Sequence, residues 1–411
     1  MPTQLPASEF ATRLEAVRDR IADAEVDAGV WVSATSIEYL TGFAHIQTER
    51  PVVLAVTQDR IELTVPRLEV ERVESNPRID HVHHYRDYPG GDPIGVVVSM
   101  LDGLGASSIA ADGEGAPGVM GYAGPSFADA WDRADATDGE LAVETQGWIP
   151  KMRWAKSEAE VDLVRESARW ANLAHRYLAD YTEVGAHPAT VSQRASMDGS
   201  RAMLDALGDE YVARTRGDGP VHAGYITGEQ TALPHGHTAN RRLEPGDVMI
   251  TGATANVDGY YSELERTMFL GEPSDGQRHY FELATEAQAL AIDALGPGVE
   301  ISYVDEVVAE YFEEQGVAEL AQHHVGHNIG LGGHEPPYID LGWSDHCESD
   351  VTDYDADDAT MEPGMIWTIE PGLYTETEGY RHSDTVAVTE DGIDRLTTFP
   401  RSLEGNTIRI E

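Results

Sequence analysis

The sequence predicts a protein of mixed helices and strands whose N-terminal part is an α/β domain. In the first 145 or so residues, a helical repeat of apolar residues over 8–26 precedes short apolar runs at 30–32, 52–56 and 61–65. An alternation of helices with short buried strands is typical of an α/β domain. The length of 411 residues leaves room for further domains with cores of their own.

A strong helix start marks the second part of the chain. Ser157 is a good N-cap, and Glu160 three residues later completes a capping box, so we expect a helix to follow. Apolar patterns predict further helices at 187–207, near 274–295 and at 303–315.

Between these helices the sequence predicts a hairpin. Two extended runs, Val248–Ala255 and Tyr260–Met268, are joined by Asn256-Val257-Asp258-Gly259, and an Asx-Gly pair between such runs is a hairpin signal. Residues two apart on a strand share a face, so Glu263 and Glu265 point the same way. Two acids on a buried face repel each other without a cationic partner. They therefore belong either to an exposed edge strand or to a functional site.

The charge of the chain is strongly acidic. The formal net charge is −45, from 73 acidic and 28 basic residues, and the acids are scattered through segments that we expect to fold. This composition resembles that of proteins from salt-accumulating halophilic archaea, in which surface charge maintains solubility and salt screens the repulsion. No basic patch is present to meet phosphates, so we expect no nucleic-acid partner.

Membrane and disulfide chemistry are not expected. No apolar run is long enough to span a bilayer, and the first ten residues lack the features of a signal peptide. Cys347 is the sole cysteine, which excludes an internal disulfide. We expect a cytoplasmic protein without a membrane partner.

A series of short motifs runs along nearly the whole chain, each weak by itself but specific in order and spacing. The motifs are Glu38-Tyr39-Leu40-Thr41-Gly42-Phe43, Lys156-Ser157-Glu158, Pro234-His235, Gly246-Asp247, Gly259-Tyr260 with Ser262, Arg266-Thr267, Gly326-His327-Asn328-Ile329-Gly330, His334-Glu335, Thr368-Ile369-Glu370-Pro371 and Asp384-Thr385-Val386. Their pattern resembles the creatinase/prolidase/methionine-aminopeptidase family. The resemblance implies an α+β protein, with a creatinase/prolidase-type α/β domain over 1–148 and a pita-bread catalytic domain over 149–411.

The resemblance also implies where metal ligands would lie. Most of the family binds two divalent ions through Asp, Asp, His, Glu and Glu, because bridging carboxylates hold two cations and activate a shared water. These positions fall on Gly252, Glu263, His327, Glu370 and Ser383. Gly252 offers no side chain and Ser383 is a poor neutral ligand. We therefore expect no cofactor, with a weakly bound divalent metal at Glu263, His327 and Glu370 as the alternative.

The stretch from Tyr260 to Thr267 resembles that of creatinase, a metal-free branch with an acid at the Glu265 position. This implies that Glu265 and Glu370 hold a cationic guanidinium or amidine group while His235 transfers protons. Glu265 is either only a clamp or, as a similarity to ectoine hydrolases implies, the attacking nucleophile. Further substrate-binding residues are expected to be Glu263, His327 and His334.

Arg50, before Pro51, matches a creatinase Arg that reaches into the partner subunit's site. The match implies a homodimer in which Arg50 holds a substrate carboxylate, and the alternative is a surface salt bridge. Tyr338 stands where creatinase carries a carboxylate-binding Arg, which argues against creatine itself.

Three functions remain open on this basis. The leading hypothesis is a creatinase-like, metal-independent hydrolase of a C–N bond in a small cationic amidine or guanidinium compound. The second is a metallopeptidase of the Xaa-Pro aminopeptidase or prolidase type with a degenerate metal site. The third is a non-catalytic pita-bread binding protein, against which the retention of His235 together with Glu265 argues.

Overall fold

The computed structural model describes residues 3–87, 90–115, 125–134, 139–215, 219–347 and 354–410. The chain divides into two compact units, Pro6–Met152 and Arg153–Glu411, and the second also includes Met1–Leu5. The predicted domain boundary between residues 148 and 149 stays a prediction. Among the described residues, no helix combines the length and apolar character that crossing a membrane requires.

The N-terminal unit alternates helices with short strands. Its elements are α1 Ala7–Asp23, β1 Ala28–Trp31, α2 Ala34–Thr41, β2 Val53–Val56, β3 Ile61–Pro66, α3 Val70–Glu74, β4 His81–Tyr85, α4 Pro93–Leu104, β5 Ser108–Ala111, α5 Phe127–Asp132, β6 Ala142–Thr145 and α6 Trp148–Met152. The strands form one mixed sheet in the order β4-β3-β2-β1-β5-β6. The strand β1 is antiparallel to β2 and parallel to β5.

The C-terminal unit is a long sheet covered by helices. Its helices are α7 Glu158–Tyr181, α8 Pro188–Leu207, α9 Asp275–Ala294, α10 Ile301–Glu314 and α11 Trp343–Cys347. Its strands are β7 Val221–Thr227, β8 Val248–Ala255, β9 Leu264–Leu270, β10 Gly326–Asn328, β11 Glu335–Ile339, β12 Ile366–Ile369, β13 Gly372–Tyr374, β14 Gly379–Arg381, β15 Ser383–Thr389, β16 Gly392–Arg395 and β17 Thr407–Ile408.

The long sheet has the order β11-β10-β12-β15-β9-β8-β7, and each half is covered by its own helix pair. Apolar residues of α7 and α8 pack with β7 and β8 in one core cluster. Those of α9 and α10 pack with β12 and β15 in another. The architecture is α+β, which confirms the predicted fold class, and it brings β12, β15 and β9 side by side at the middle of the sheet.

The predicted hairpin is present, although its second strand begins later than expected. Asp258 and Gly259 have φ of 52° and 92°, and Val257 and Tyr260 exchange backbone hydrogen bonds of 3.0 and 2.9 Å. Positive φ at both central residues is what a type I′ turn requires. The strand β9 begins only at Leu264 because the preceding residues bond elsewhere. The backbone N–H of Glu263, for instance, donates to Thr385 Oγ1 at 2.8 Å.

The predicted capping box at the start of α7 is also confirmed. Ser157 Oγ accepts from the N–H of Glu160 at 3.3 Å, and Glu160 Oε2 accepts from the N–H of Ser157 at 3.0 Å. These two bonds satisfy N–H groups that the first turn of a helix leaves without partners.

A buried ion pair joins the two strands in the middle of the sheet. Arg266 of β9 and Asp384 of β15 approach to 2.9 Å, and both side chains are fully buried. The same guanidinium donates from Nη1 to the backbone oxygens of Glu265 and Ser383, at 2.6 and 2.8 Å. Arg266 therefore fixes the backbone from which the neighbouring residues project.

We predict that Asp384→Asn lowers the free energy of unfolding by about 3–5 kcal/mol, because it leaves the buried charge of Arg266 unbalanced. Denaturant unfolding at constant high salt measures the loss. The control is Arg165→Ala, which removes the half-exposed pair between Arg165 and Asp394 and should cost less than about 1 kcal/mol. Equal losses in the two variants would contradict a special role for the buried pair.

Candidate metal centre

Three side chains that are far apart in the sequence converge at the middle of the sheet. Glu263 lies directly before β9, His327 lies in β10, and Glu370 follows β12. Each offers a ligand atom, and these atoms lie within 4.8 Å of one another. Two carboxylates and an imidazole are ligands that divalent transition metals accept.

The orientation of His327 suits metal binding. Its Nδ1 lies 3.0 Å from the backbone oxygen of Asn328, which can only accept, so Nδ1 carries the hydrogen. Nε2 lies 3.2 Å from Glu370 Oε1 and 3.9 Å from Glu263 Oε2. An outer partner that fixes the tautomer in this way is a common feature of metal-binding histidines.

The electrostatics show an excess of negative charge at this point. Burial, followed by the charges of Glu370 and Glu265, raises the pKa of Glu263 to about 8. Burial acts to lower the pKa of His327, but the hydrogen bond to Glu370 and the charge of Glu263 outweigh it and raise that pKa to about 9. Glu263 therefore takes up a proton more readily than an ordinary carboxyl group, and a bound cation would replace that proton.

Glu370 is the permanently ionised member of the group. Burial acts to raise its pKa, but the hydrogen bond with His327 and the charge of Arg381 outweigh it and lower the pKa to about 2. Thr368 Oγ1 also donates to Glu370 Oε1 at 3.3 Å. A carboxylate that is ionised and held in place is ready to accept a cation.

Glu265 is not part of this group, because Arg381 holds it. Arg381 Nε and Nη2 donate to Glu265 Oε2 and Oε1 at 2.5 and 3.0 Å. Arg381 Nη1 donates to the hydroxyl of Tyr374 at 3.0 Å and to the backbone oxygen of Pro234 at 3.2 Å. Burial acts to lower the pKa of Arg381, but the charge of Glu265 outweighs it and raises the pKa. The chain therefore supplies a cation for Glu265 from its own residues.

The positions that lack a metal-binding side chain flank Glu265. Gly252 and Ser383 both pair with Glu265 in the sheet register, one on each side. Ser383 Oγ donates to Glu263 Oε1 at 2.7 Å. The residues present thus fit one divalent ion, held by Glu263, His327 and Glu370, and do not provide the carboxylates for a second.

His334 and His235 lie at the edge of this centre. The His334 ring stacks on His327, with 3.8 Å between the ring centroids and 21° between the planes. Burial and the charge of His327 lower the pKa of His334, with a smaller contribution from His235. His235 itself is exposed in a turn next to Pro234. Both imidazoles are candidates for proton transfer at this centre.

Two cavities border the centre. The larger, of about 630 Å³, is lined by Glu263, Glu265, Gly252, Arg381 and Tyr261 among others. The smaller, of about 400 Å³, is lined by His324, His334, Asp340 and His346, with Tyr338, Gly342 and Trp343. Such volumes are in the range of small-molecule sites.

Sequence reasoning missed Arg381 and Tyr374 as site residues. Arg381 lies two residues before Ser383, a position that the family resemblance singles out, so a signal was available. Arg50, in contrast, lies in the N-terminal unit, where its guanidinium makes bonds of 2.9 and 2.8 Å to the carboxylate of Asp87. Its role in a partner's site stays a prediction.

Comparison with known proteins identifies relatives over nearly the whole chain. Residues 162–390 match Metallopeptidase family M24, and residues 13–118 match the Creatinase/Prolidase N-terminal domain. The Xaa-Pro dipeptidase of Pyrococcus furiosus is 31% identical over 258 residues, which cover 62% of this chain and 66% of that protein. The probable dipeptidase PepE of Mycobacterium tuberculosis is 28% identical over 402 residues, which cover 97% of this chain and 96% of that protein.

A solved structure gives the same result for the fold. The Xaa-Pro dipeptidase from Bacillus anthracis has a TM-score of 0.75 and 23% identity, with 96% of this chain and 99% of that chain covered. The predicted creatinase/prolidase-type N-terminal domain and pita-bread catalytic domain are thus confirmed.

The comparisons contradict the predicted function. The creatinase-like, metal-independent hydrolase of an amidine or guanidinium compound is wrong, because the relatives are dipeptidases and the matching family is one of metallopeptidases. The expected absence of a cofactor is also wrong, since Glu263, His327 and Glu370 form a group that suits a metal ion. The physical reason for the error is that Arg381 pairs with Glu265. The expectation of a cationic substrate assumed that Glu265 lacked a positive partner, and the chain itself provides one.

We predict that excess Mn²⁺ or Zn²⁺ raises the melting temperature of the wild type, because an ion that binds only the folded state stabilises it by about 2.7 kcal/mol at 100 times its Kd. His327→Ala should abolish the shift. His237→Ala, which changes an exposed loop imidazole, should retain it. Thermal unfolding of untagged protein gives the readout, and an undiminished shift in His327→Ala would rule out this centre.

Proposed function

Because the chain belongs to metallopeptidase family M24, we propose that it is a metal-dependent dipeptidase of the Xaa-Pro type that works with one divalent ion. The observation that carries the proposal is the convergence of Glu263, His327 and Glu370 within 4.8 Å of one another. The peptidase class is supported by the relatives, which include Xaa-Pro dipeptidases and PepE dipeptidases.

Each of the three ligands contributes to the metal site in a different way. Glu370 is ionised, and His327 has Nε2 directed at the centre. Glu263 completes the group after it loses its proton, and Ser383 keeps its carboxylate in place. When bound there, a divalent ion polarises a carbonyl oxygen and lowers the pKa of a water molecule.

We assign proton transfer to the imidazoles beside the ligands. The lowered pKa of His334 keeps its ring neutral at neutral pH, so it can accept a proton. Its stacking on His327 places it one ring away from the ligand group. We assign to His334 and His235 the exchange of protons with the peptide amide and the solvent.

The two cavities suit the two residues of a dipeptide. Glu263 lines the larger cavity and His334 lines the smaller one, and His327 contacts both side chains. A substrate whose peptide bond lies at the ligand group would therefore place one residue in each cavity. Tyr338 and Trp343 give the smaller cavity flat aromatic faces, against which the ring of a proline packs well.

The test of the proposal is hydrolysis of a panel of dipeptides with proline second, beside the same dipeptides with alanine second. We expect turnover of the proline series that chelation abolishes and that Mn²⁺, Co²⁺ or Zn²⁺ restores. Glu370→Gln should reduce kcat/KM by more than the ~10–100-fold that the loss of an outer partner of a metal ligand costs. Glu362→Gln, which changes an exposed acid on the same segment, is the matched control.

Two results would contradict the proposal. The first is the absence of hydrolysis of every dipeptide by protein that demonstrably contains the metal. The second is hydrolysis that chelation and Glu370→Gln both leave unchanged, since the ligand group would then play no part in it.

We also propose that the active form is a homodimer that requires salt. The dimer is supported by the match of Arg50 to a residue that crosses a subunit interface, and the salt requirement by the net charge of −45. Light scattering in molar KCl should give twice the 44.8 kDa chain mass. On dilution into low salt the helical circular dichroism signal should be lost. A fully active monomer that stays folded without salt would contradict both parts.

A further inference from the structure

Three residues that pair across adjacent strands distinguish this centre from the family's pattern of metal ligands. Gly252 of β8, Glu265 of β9 and Ser383 of β15 are direct partners in the antiparallel register, so they share one face. The family pattern has carboxylates at the two outer positions, where this chain has Gly252 and Ser383. This chain has its carboxylate at the middle position.

The carboxylate of Glu265 reaches the space that Gly252 leaves open. A Cβ atom added to Gly252 would lie 3.6 Å from Glu265 Oε1, in ordinary contact. Glu265 thus brings a carboxylate from the adjacent strand to the place that a longer side chain at position 252 would occupy.

Both oxygens of that carboxylate accept hydrogen bonds from Arg381. The guanidinium donates to them in a two-bond arrangement, which is strong and geometrically specific. Its remaining bonds to Tyr374 and Pro234 hold it in a buried position. A metal ion could use Glu265 as a ligand only by displacing this fixed cation.

The balance of charge limits the centre to one ion. Glu263, Glu265 and Glu370 carry three negative charges when ionised. Arg381 and one divalent ion carry three positive charges, and His327 is neutral when it binds a metal. A second divalent ion would leave two positive charges unbalanced in a buried site, which is costly.

We propose that the ion pair of Glu265 and Arg381 stands in place of a second metal ion, so that each chain binds a single divalent ion. The proposal rests on the metal centre of the proposed function but not on its peptidase activity. According to this proposal, Glu265 and Arg381 occupy the position of the second metal ion, and Glu265 is not a ligand of the bound ion.

The test counts bound ions. Wild-type protein saturated with Mn²⁺ or Zn²⁺, freed of excess metal by gel filtration and measured by elemental analysis, should contain one ion per chain. The variant Gly252→Asp/Glu265→Ala/Ser383→Glu moves the carboxylates to the outer positions and should contain two. Isothermal titration with the same ions should show one binding site in the wild type and two in the variant.

Single variants keep the test decisive where the triple variant fails to fold. Glu265→Gln should still bind one ion, because Glu265 is not a ligand. Glu263→Gln, at a nearby carboxylate, should bind none after gel filtration. Two ions in the wild type, one ion in a folded triple variant, or loss of the ion in Glu265→Gln would each overturn the proposal. One ion without dipeptidase activity would overturn the proposed activity and leave this inference standing. Two ions with full activity would overturn the single-ion centre and leave the dipeptidase activity standing.

Discussion

The balance of buried charge is the constraint on which the centre of this protein depends. Glu263, Glu265 and Glu370 face one small volume because β9, β15 and β12 are neighbours in the sheet. Carboxylates that lack a positive partner in such a place take up protons, and the raised pKa of Glu263 reflects this. Arg381 satisfies Glu265, and His327 satisfies Glu370. The carboxylate of Glu263 has no such partner of its own among the described residues, and a bound metal ion would balance its charge.

The register of the sheet determines which residues lie together in the site. Because Gly252 and Ser383 both pair with Glu265, a change at any of the three alters the same volume. Arg266 fixes this register from the buried side, since one guanidinium bonds the backbone of β9 and β15 and pairs with Asp384. Ligand positions on strands that are held in this way are more precise than positions on loops.

Much of the fold follows from local signals in the sequence. The capping box at Ser157 and the Asx-Gly turn at Asp258-Gly259 have the predicted form, because each depends on residues within a few positions of one another. The start of β9 was placed too early. The N–H groups before Leu264 find partners elsewhere in the fold, such as Thr385, and only the folded chain shows those partners.

The sequence by itself determined the family-level fold, the candidate ligands Glu263, His327 and Glu370, and the lack of a metal-binding carboxylate at Gly252 and Ser383. Residue identity and the order of motifs are enough for those conclusions. Only the tertiary structure decided what balances the acids. Arg381 and Glu265 are 116 residues apart in the chain, and they meet because β14 and β15 bring Arg381 beside β9. An acid on a strand face has no defined charge partner until the sheet is assembled, and so the cation that we expected from a substrate proved to be an arginine of the chain itself.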